Sequence, residues 1–289
     1  MAASLNPSIS KFDEVFDAGK SSQYRLTIQF ALDGLSYALL DTNNNHLIAL
    51  EGYQSELLTD TNTLFRTLEQ ALEQKGLNDK AFQSVTCIVD ERINTLVPSP
   101  LFDEANQRQY LDFTYQLSDR HAILSEPLNA IGCYNVFAWS NNLKNKVLSK
   151  WEQAGITHSS SVFINGVMQK NEDHGVFVNV RNHDFDMAIL KGGKLHFFNN
   201  FKYNTKEDFV YFLMFAMEQN GLSGQDTAAL FSGHILPSSE IIGLCSHYVK
   251  QLCFVEDPKV LQVSHALKEI PFQYYYTLYQ ILGQETQDQ

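Results

Sequence analysis

The sequence predicts an α/β protein of two mixed-sheet domains, and three observations carry that prediction. Leu26 to Asp41 reads LTIQFALDGLSYALLD and Val176 to Gly193 reads VFVNVRNHDFDMAILKGG; each is an apolar strand, a short polar turn and a second apolar strand. Each hairpin is followed by a third strand, a helix and a buried strand, in the same order and about 150 residues apart. A chain of 289 residues, 44% of them hydrophobic, is also long enough to fill two cores.

Taken in order, residues 1–22, with Pro7, Gly19, Ser21 and Ser22, read as a loose lead-in. From Tyr24 a strand runs to Leu32, turns at Asp33-Gly34 and returns through Leu35 to Leu40. Asp-Gly between apolar stretches is a strong hairpin signal. The polar Asn43-Asn44-Asn45 leads to a third strand over His46–Gly52. Leu64, Phe65, Leu68, Ala71 and Leu72 then recur at helical spacing between Asp60 and Lys75, with Gly76 as the stop. Val85–Val89 is a short apolar strand of the buried, parallel kind. Pro98 and Pro100 interrupt residues 91–120, which read as an insertion or a helical cap. Ile123–Ser125 and Cys133–Trp139 are expected strands, and a helix over residues 141–153 closes at Gly155.

Ser159–Gln169 is expected to be a helix linking the halves, giving domains over 23–158 and 159–289. The second domain opens with its hairpin over 176–190, a tight turn at Gly192-Gly193 and a third strand over Lys194–Asn199. Thr205 and Asp208 form a capping-box pattern at the start of a helix to Asn220, with Asp in place of the usual Glu. Ala228–Phe231 is a strand, Ser232-Gly233-His234 a turn, and Ser238 the cap of a helix reaching Leu252. Phe254-Val255 begins a last strand, and a closing helix carries Phe272, Tyr275, Tyr276 and Tyr279 on one face.

Bulk properties exclude several classes. With 21 basic against 33 acidic residues the formal charge is −12, which argues against a broad nucleic-acid surface. No apolar run is long enough to span a bilayer, and the polar start lacks the charged-then-apolar form of a signal peptide. Cys87, Cys133, Cys245 and Cys253 are scattered without metal-ligand spacing, as expected of free thiols in a reducing compartment. A cytoplasmic location is expected.

The repeated order resembles the actin-like ATPase superfamily, which pairs two RNase H-like domains. It is similar in particular to the actin-like proteins of bacterial pilus-assembly and secretion machines, and to an uncharacterised bacterial family with that fold. In that superfamily each hairpin turn cradles phosphate: an Asp at its start holds magnesium through water, and a Gly two residues later lets backbone N–H groups reach the phosphate. The resemblance implies that these places are Gln29 and Ala31 in the first copy, Asn179 and Arg181 in the second. Neutral amides are poor ligands for a divalent ion beside a triphosphate, and a side chain fills the space a backbone nest needs. The superfamily's adenine-loop Gly-Gly pair reads Gly233-His234 here, and residues 154–170, where a water-orienting acid is expected, hold no carboxylate. A non-catalytic, pseudo-ATPase protein is therefore expected, acting as a binding or scaffold module with no cofactor.

Other readings of the same residues stand beside this one. Arg181 suits phosphate or another anion, but also a salt bridge to Asp184 or Asp186. Asp33 and Asp184 either replace the lost acids, which would restore an active ATPase or small-molecule kinase, or are plain turn residues. His174, His183 and Asp186 lack ligand spacing from two elements, so no metal is expected. No G-x-S-x-G nucleophile elbow occurs. The closing segment PFQYYYTLYQIL is either core packing or a tyrosine-rich partner surface. A protein partner is expected, with a homodimer as one form of it, and no insertion into a membrane. A third function reading is a cytoplasmic subunit of an envelope assembly machine, on fold analogy alone.

Overall fold

The structure, a computed structural model, describes residues 6–31, 34–54, 60–170, 172–256 and 261–287. Asp33, expected to turn the first hairpin, lies outside the described residues. Contacts divide the chain into two units: Met1–Ser161 with Lys259–Glu269 and Ile281–Gln289, and Val162–Pro258 with Ile270–Gln280. The division differs from the expected 23–158 and 159–289 chiefly in the tail, parts of which belong with the first unit.

The first unit is built on a seven-stranded sheet. Its strands are β1 (Ile9–Phe12), β2 (Tyr24–Ala31), β3 (Gly34–Asp41), β4 (His46–Gln54), β5 (Ser84–Asp90), β9 (Gly155–His158) and β15 (Gln262–Val263). Their order is β1-β4-β3-β2-β5-β9, with β15 pairing β4 beside β1. The hairpin strands β2, β3 and β4 are antiparallel, whereas β5 and β9 run parallel to β2. Along β2 the side chains alternate. Tyr24, Leu26, Ile28 and Phe30 enter a core with Leu64, Leu68 and Leu72 of α1 (Thr61–Gln74) and Leu143 and Val147 of α3 (Asn141–Lys150). Each fully buried Leu, Ile or Phe there contributes about 1.5–3 kcal/mol. Thr27, Gln29 and Ala31 take the opposite face. Asp60 caps α1 by accepting the N–H groups of Asn62 and Thr63, and Gly76 at φ +69° ends it.

Two expectations are corrected here, and the open reading of residues 91–120 is decided as an insertion. The lead-in is not loose throughout, since β1 pairs antiparallel with β4 from Ile9↔Gly52 to Phe12↔Ala49. Residues 91–120 contain β6 (Asn94–Pro98) and α2 (Gln107–Asp112). With β7 (His121–Leu128) and β8 (Cys133–Ser140) they form a separate sheet of order β6-β8-β7 with its own small core of Val97, Leu111, Val136 and Ala138. Helix α3 stops at Lys150 because Trp151 is extended, and Gly155 opens β9 against Thr86 instead of ending a helix.

The second unit follows α4 (Ser159–Gln169), inside which the boundary falls. Its strands are β10 (His174–Val180), β11 (Asp184–Lys191), β12 (Lys194–Lys202), β13 (Ala229–Gly233) and β14 (Leu252–Phe254). They lie in the order β12-β11-β10-β13-β14, with β13 and β14 parallel to β10. Helix α5 (Lys206–Gln219) starts with the expected capping box, Thr205 and Asp208 each accepting the other's backbone N–H. It packs with α6 (Glu240–Cys245) on one face, burying Phe209, Leu213 and Cys245. The expected long helix capped by Ser238 is short instead: Ser239 is its cap and, with Gly243 inside it, it ends at Cys245. On the other face Phe163, Val167 and Phe177 pack with Tyr276, the first residue of α7 (Tyr276–Gln287). Phe272 stacks on Tyr279 at 4.8 Å, so these closing aromatics are core.

The two sheets repeat each other down to their irregularities. Gln29 stands opposite Ser36 as Asn179 stands opposite Asp186, and a bulge follows at Leu39/Leu40 as at Ile189/Leu190.

Candidate functional site

In a sheet with parallel strands, the strand carboxyl ends are where ligands are held. The first unit gathers β2, β5 and β9 at such an edge. Ala31 lies opposite Asp90, and Val89 opposite His158. The amide of Gln29 donates to Asp90 Oδ2 at 2.7 Å, so this side chain is engaged by a buried carboxylate on the neighbouring strand. Glu91 follows directly. Burial, reinforced by the charge of Asp90, pushes its carboxyl up to about 7.

The start of α4 sits at the same edge and is tightly hydrogen-bonded. His158 is fully buried; its backbone N–H donates to Glu126 Oε1 at 2.8 Å, and its Nδ1 accepts the N–H of Ser160 at 3.1 Å. Thr157 donates to Glu126 Oε2 at 2.8 Å. Burial raises the Glu126 carboxyl against the pull of the hydrogen bonds from Ser161, His158 and Thr157. Asn135 then donates to Ser161 at 2.8 Å and accepts from Asn94 at 3.1 Å. This end of the helix is thus filled by protein groups, one of them, Glu126, acidic.

The second unit's edge is formed by β10, β13 and β14. Asn179 is buried between Asp186 and Ser232 in register, and Ser232 Oγ donates to its Oδ1 at 3.0 Å. Arg181 folds back over β11. Its Nη1 and Nη2 donate to the two oxygens of Asp186 at 2.8 and 2.9 Å, and its Nε donates to Asp184 at 2.5 Å. Asp186 is fully buried, and Asn200 adds an N–H to it at 3.0 Å. Tyr203 donates to the Arg181 carbonyl at 2.6 Å, and burial raises its phenol to about 12. A guanidinium placed bidentate on one carboxylate and capped by a second has its charge compensated inside the fold.

Gly233 closes β13 rather than forming a turn. Its φ is +86°, and a Cβ there would stand 2.1 Å from the carbonyl oxygen of Val180, so only glycine fits. The His234 N–H donates to that same carbonyl at 2.7 Å, while its ring stacks on Tyr274 at 4.7 Å. Among the described residues no group of three or more His, Cys, Asp or Glu is placed to hold a metal ion.

Within the second unit the structure thus brings together Asn179, Arg181 and Asp184, with Gly233 and His234 at the adjoining strand end. In the first it keeps Gln29 and Ala31 at one edge. Asp90, Glu91, Ser232 and Asn200 were not singled out from sequence. Asp90 and Glu91 carry a usable signal, acids immediately after a short apolar parallel strand. Ser232 and Asn200 carry none, since only the register reveals them.

The chain belongs to the family described as "Protein of unknown function (DUF3822)", whose profile matches residues 13–252. Among solved structures it is similar to a Bacteroides thetaiotaomicron protein described as having an actin-like ATPase fold and unknown function. The TM-score is 0.77 at 16% identity, over 93% of this chain and 98% of that one. It is also similar to a chain of the PilM–PilN type IV pilus biogenesis complex, with a TM-score of 0.59 at 12% identity over 91% of this chain and 98% of that one. No curated protein sequence matches. The fold is the actin-like ATPase fold. No helix among the described residues is long and apolar enough to cross a membrane.

Proposed function

We propose that this member of the family is a non-catalytic actin-like protein, a binding or scaffold component that works without nucleotide hydrolysis. One observation carries the reading. Where the superfamily leaves a glycine gap for phosphate, Arg181 lies across Asp184 and Asp186 in a closed ion pair. The matching place in the first unit supports it: the amide of Gln29 is held by Asp90. Among the described residues both loop-opening acids are replaced by amides and the second glycine place is filled by Arg181, whereas magnesium-nucleotide binding needs an anionic oxygen beside an open backbone nest. No cofactor belongs to this reading, and the ion pair takes the place of the anion ligand once considered for Arg181.

The protein's partner is then another protein, in the cytoplasm. That PilM occurs with PilN in a pilus biogenesis complex supports a partner of this kind by fold analogy. Calorimetric titration of ATP and ADP, with and without magnesium, tests the reading. No magnesium-dependent heat is expected. Tight magnesium-dependent binding, with turnover lost in Asp90→Asn, would overturn it in favour of an enzyme. That second reading rests on Asp90 and Glu91, the two acids at the first unit's edge.

A further inference from the structure

The repeat exposes a difference between the units that the nucleotide site does not explain. In the first unit the outer edge of β4, third strand of the hairpin, is covered from His46 to Gly52. β15 pairs with His46–Leu47, and β1 with Ala49–Gly52. The bulge at Ile48 sits between the two added strands and blocks neither. The counterpart in the second unit is β12, with its bulge at the matching place, and among the described residues β12 pairs with β11 alone. Its row of backbone donors and acceptors beyond the bulge runs from Phe197 to Lys202, of which Phe197–Asn200 corresponds to the stretch of β4 that receives β1.

The surroundings of that edge favour one kind of occupant. Rings run outward in a ladder from the strand: Phe197 against Phe201 at 6.3 Å, Phe201 on Phe212 at 5.4 Å, Phe212 against Tyr211 at 5.4 Å, and Tyr211 on Phe215 at 5.9 Å. Tyr211 and Phe215 are 61% and 46% exposed, an aromatic pair that a merely protected edge has no reason to present. Along the strand itself the charge is of one sign. Residues 187–206 hold Lys191, Lys194, Lys202 and Lys206 and no Asp or Glu, in a chain of formal charge −12. Lys191 is tied to the Asn220 carbonyl and Lys206 to Glu240, whereas Lys194 and Lys202 are exposed and form no ion pair among the described residues. On α5 the exposed Glu207 and Glu218 flank Tyr211 and Phe215 on the same face, one turn to either side, Asp208 is committed to the cap, and Asp184, in register with Lys202, is taken by Arg181.

We propose that the free edge of β12 takes an extended segment of a partner protein as an added antiparallel strand, one that alternates acidic with apolar residues. Main-chain hydrogen bonds to Phe197–Lys202 supply the pairing, as β1 supplies it to β4. Apolar side chains on one face of the added strand lie against the Phe201–Phe212–Tyr211–Phe215 ladder, and carboxylates on its other face meet Lys202, with Lys194 adding positive charge on the far side of the bulge. The site is independent of the nucleotide reading, since neither Arg181 nor Gln29 takes part.

The test is selection of a phage-displayed library of random dodecapeptides on the intact protein, followed by synthesis of the enriched sequences. Enriched peptides are expected to alternate Asp or Glu with apolar residues. Their binding is expected to slow amide exchange at residues 197–202, a readout on the unaltered protein. Lys194→Glu with Lys202→Glu is expected to weaken binding about tenfold or more through charge reversal at the edge. Tyr211→Ser with Phe215→Ser should weaken it independently; both pairs are exposed, and circular dichroism checks that the fold persists. Failure to enrich, protection of amides elsewhere, or indifference to the charge reversal would overturn the proposal. So would a self-associating dimer in sedimentation that the same reversal dissolves, since the occupant would then be a second copy.

Discussion

At the scale of single residues, the ion pair of Arg181 makes the sharpest prediction. Arg181→Ala leaves the fully buried Asp186 without its cation, which costs about 3 kcal/mol in urea unfolding. Adding Asp186→Asn should recover more than half of that, because the stranded charge is gone. Gly233→Ala should cost about 3 kcal/mol or more, since a positive φ and a contact with the Val180 carbonyl act together. Glu91 predicts a pH dependence. Its carboxyl titrates near 7 in the fold and near 4.5 when unfolded, so the folded protein holds more protons in that window. Stability is therefore expected to fall as pH rises from 4.5 to 7, and Glu91→Gln should flatten that slope in chemical denaturation. The repeat in the sequence was enough to locate Gln29, Ala31, Asn179 and Arg181 at two strand ends. It left open whether Arg181 faced a ligand or its own acids, because that turns on a rotamer, and Asp184 and Asp186 lie on the returning strand at reach of either answer.

At the scale of elements, local chemistry was readable wherever one residue type has one use. Asp60 and Thr205 are helix caps because their side-chain oxygens satisfy N–H groups that the helix leaves open, and both starts were visible. Thr205→Ala should cost about 1 kcal/mol, measured as a lowered urea midpoint. Elements that depend on distant partners were not readable. β1 is short, and its reason for being extended is the edge of β4, which no local pattern announces. The insertion sheet was hidden for the same reason: Pro98 and Pro100 break the periodicity, and its strands pair only with one another, although Phe137 and Trp139 of β8 also enter the main core. The helix expected after Ser238 shows the converse error. An apolar stretch looked long enough for a helix, but Gly243 and the bends after Cys245 shorten it.

At the scale of the molecule, the chain is interleaved, because segments late in sequence complete the unit that was begun first. Gln262 donates its N–H to the Asn45 carbonyl at 3.0 Å, and Ser264 donates to that of Leu47 at 3.1 Å. Gln262→Pro removes the first of these donors at an exposed position. The expected outcome is faster amide exchange, roughly tenfold, in β4 and β1, with no change in β10 to β14. An unaltered first unit would mean that β15 only decorates it. The aromatic content is divided unevenly as well. Both tryptophans, Trp139 and Trp151, belong to the first unit's core or pack against it, and the second unit, rich in Phe and Tyr, has none. Intrinsic tryptophan emission is therefore a spectroscopic window on one half of the protein. A titration followed by that signal alone would report on the core beneath β2, where Trp139 lies against Phe30 at 5.9 Å.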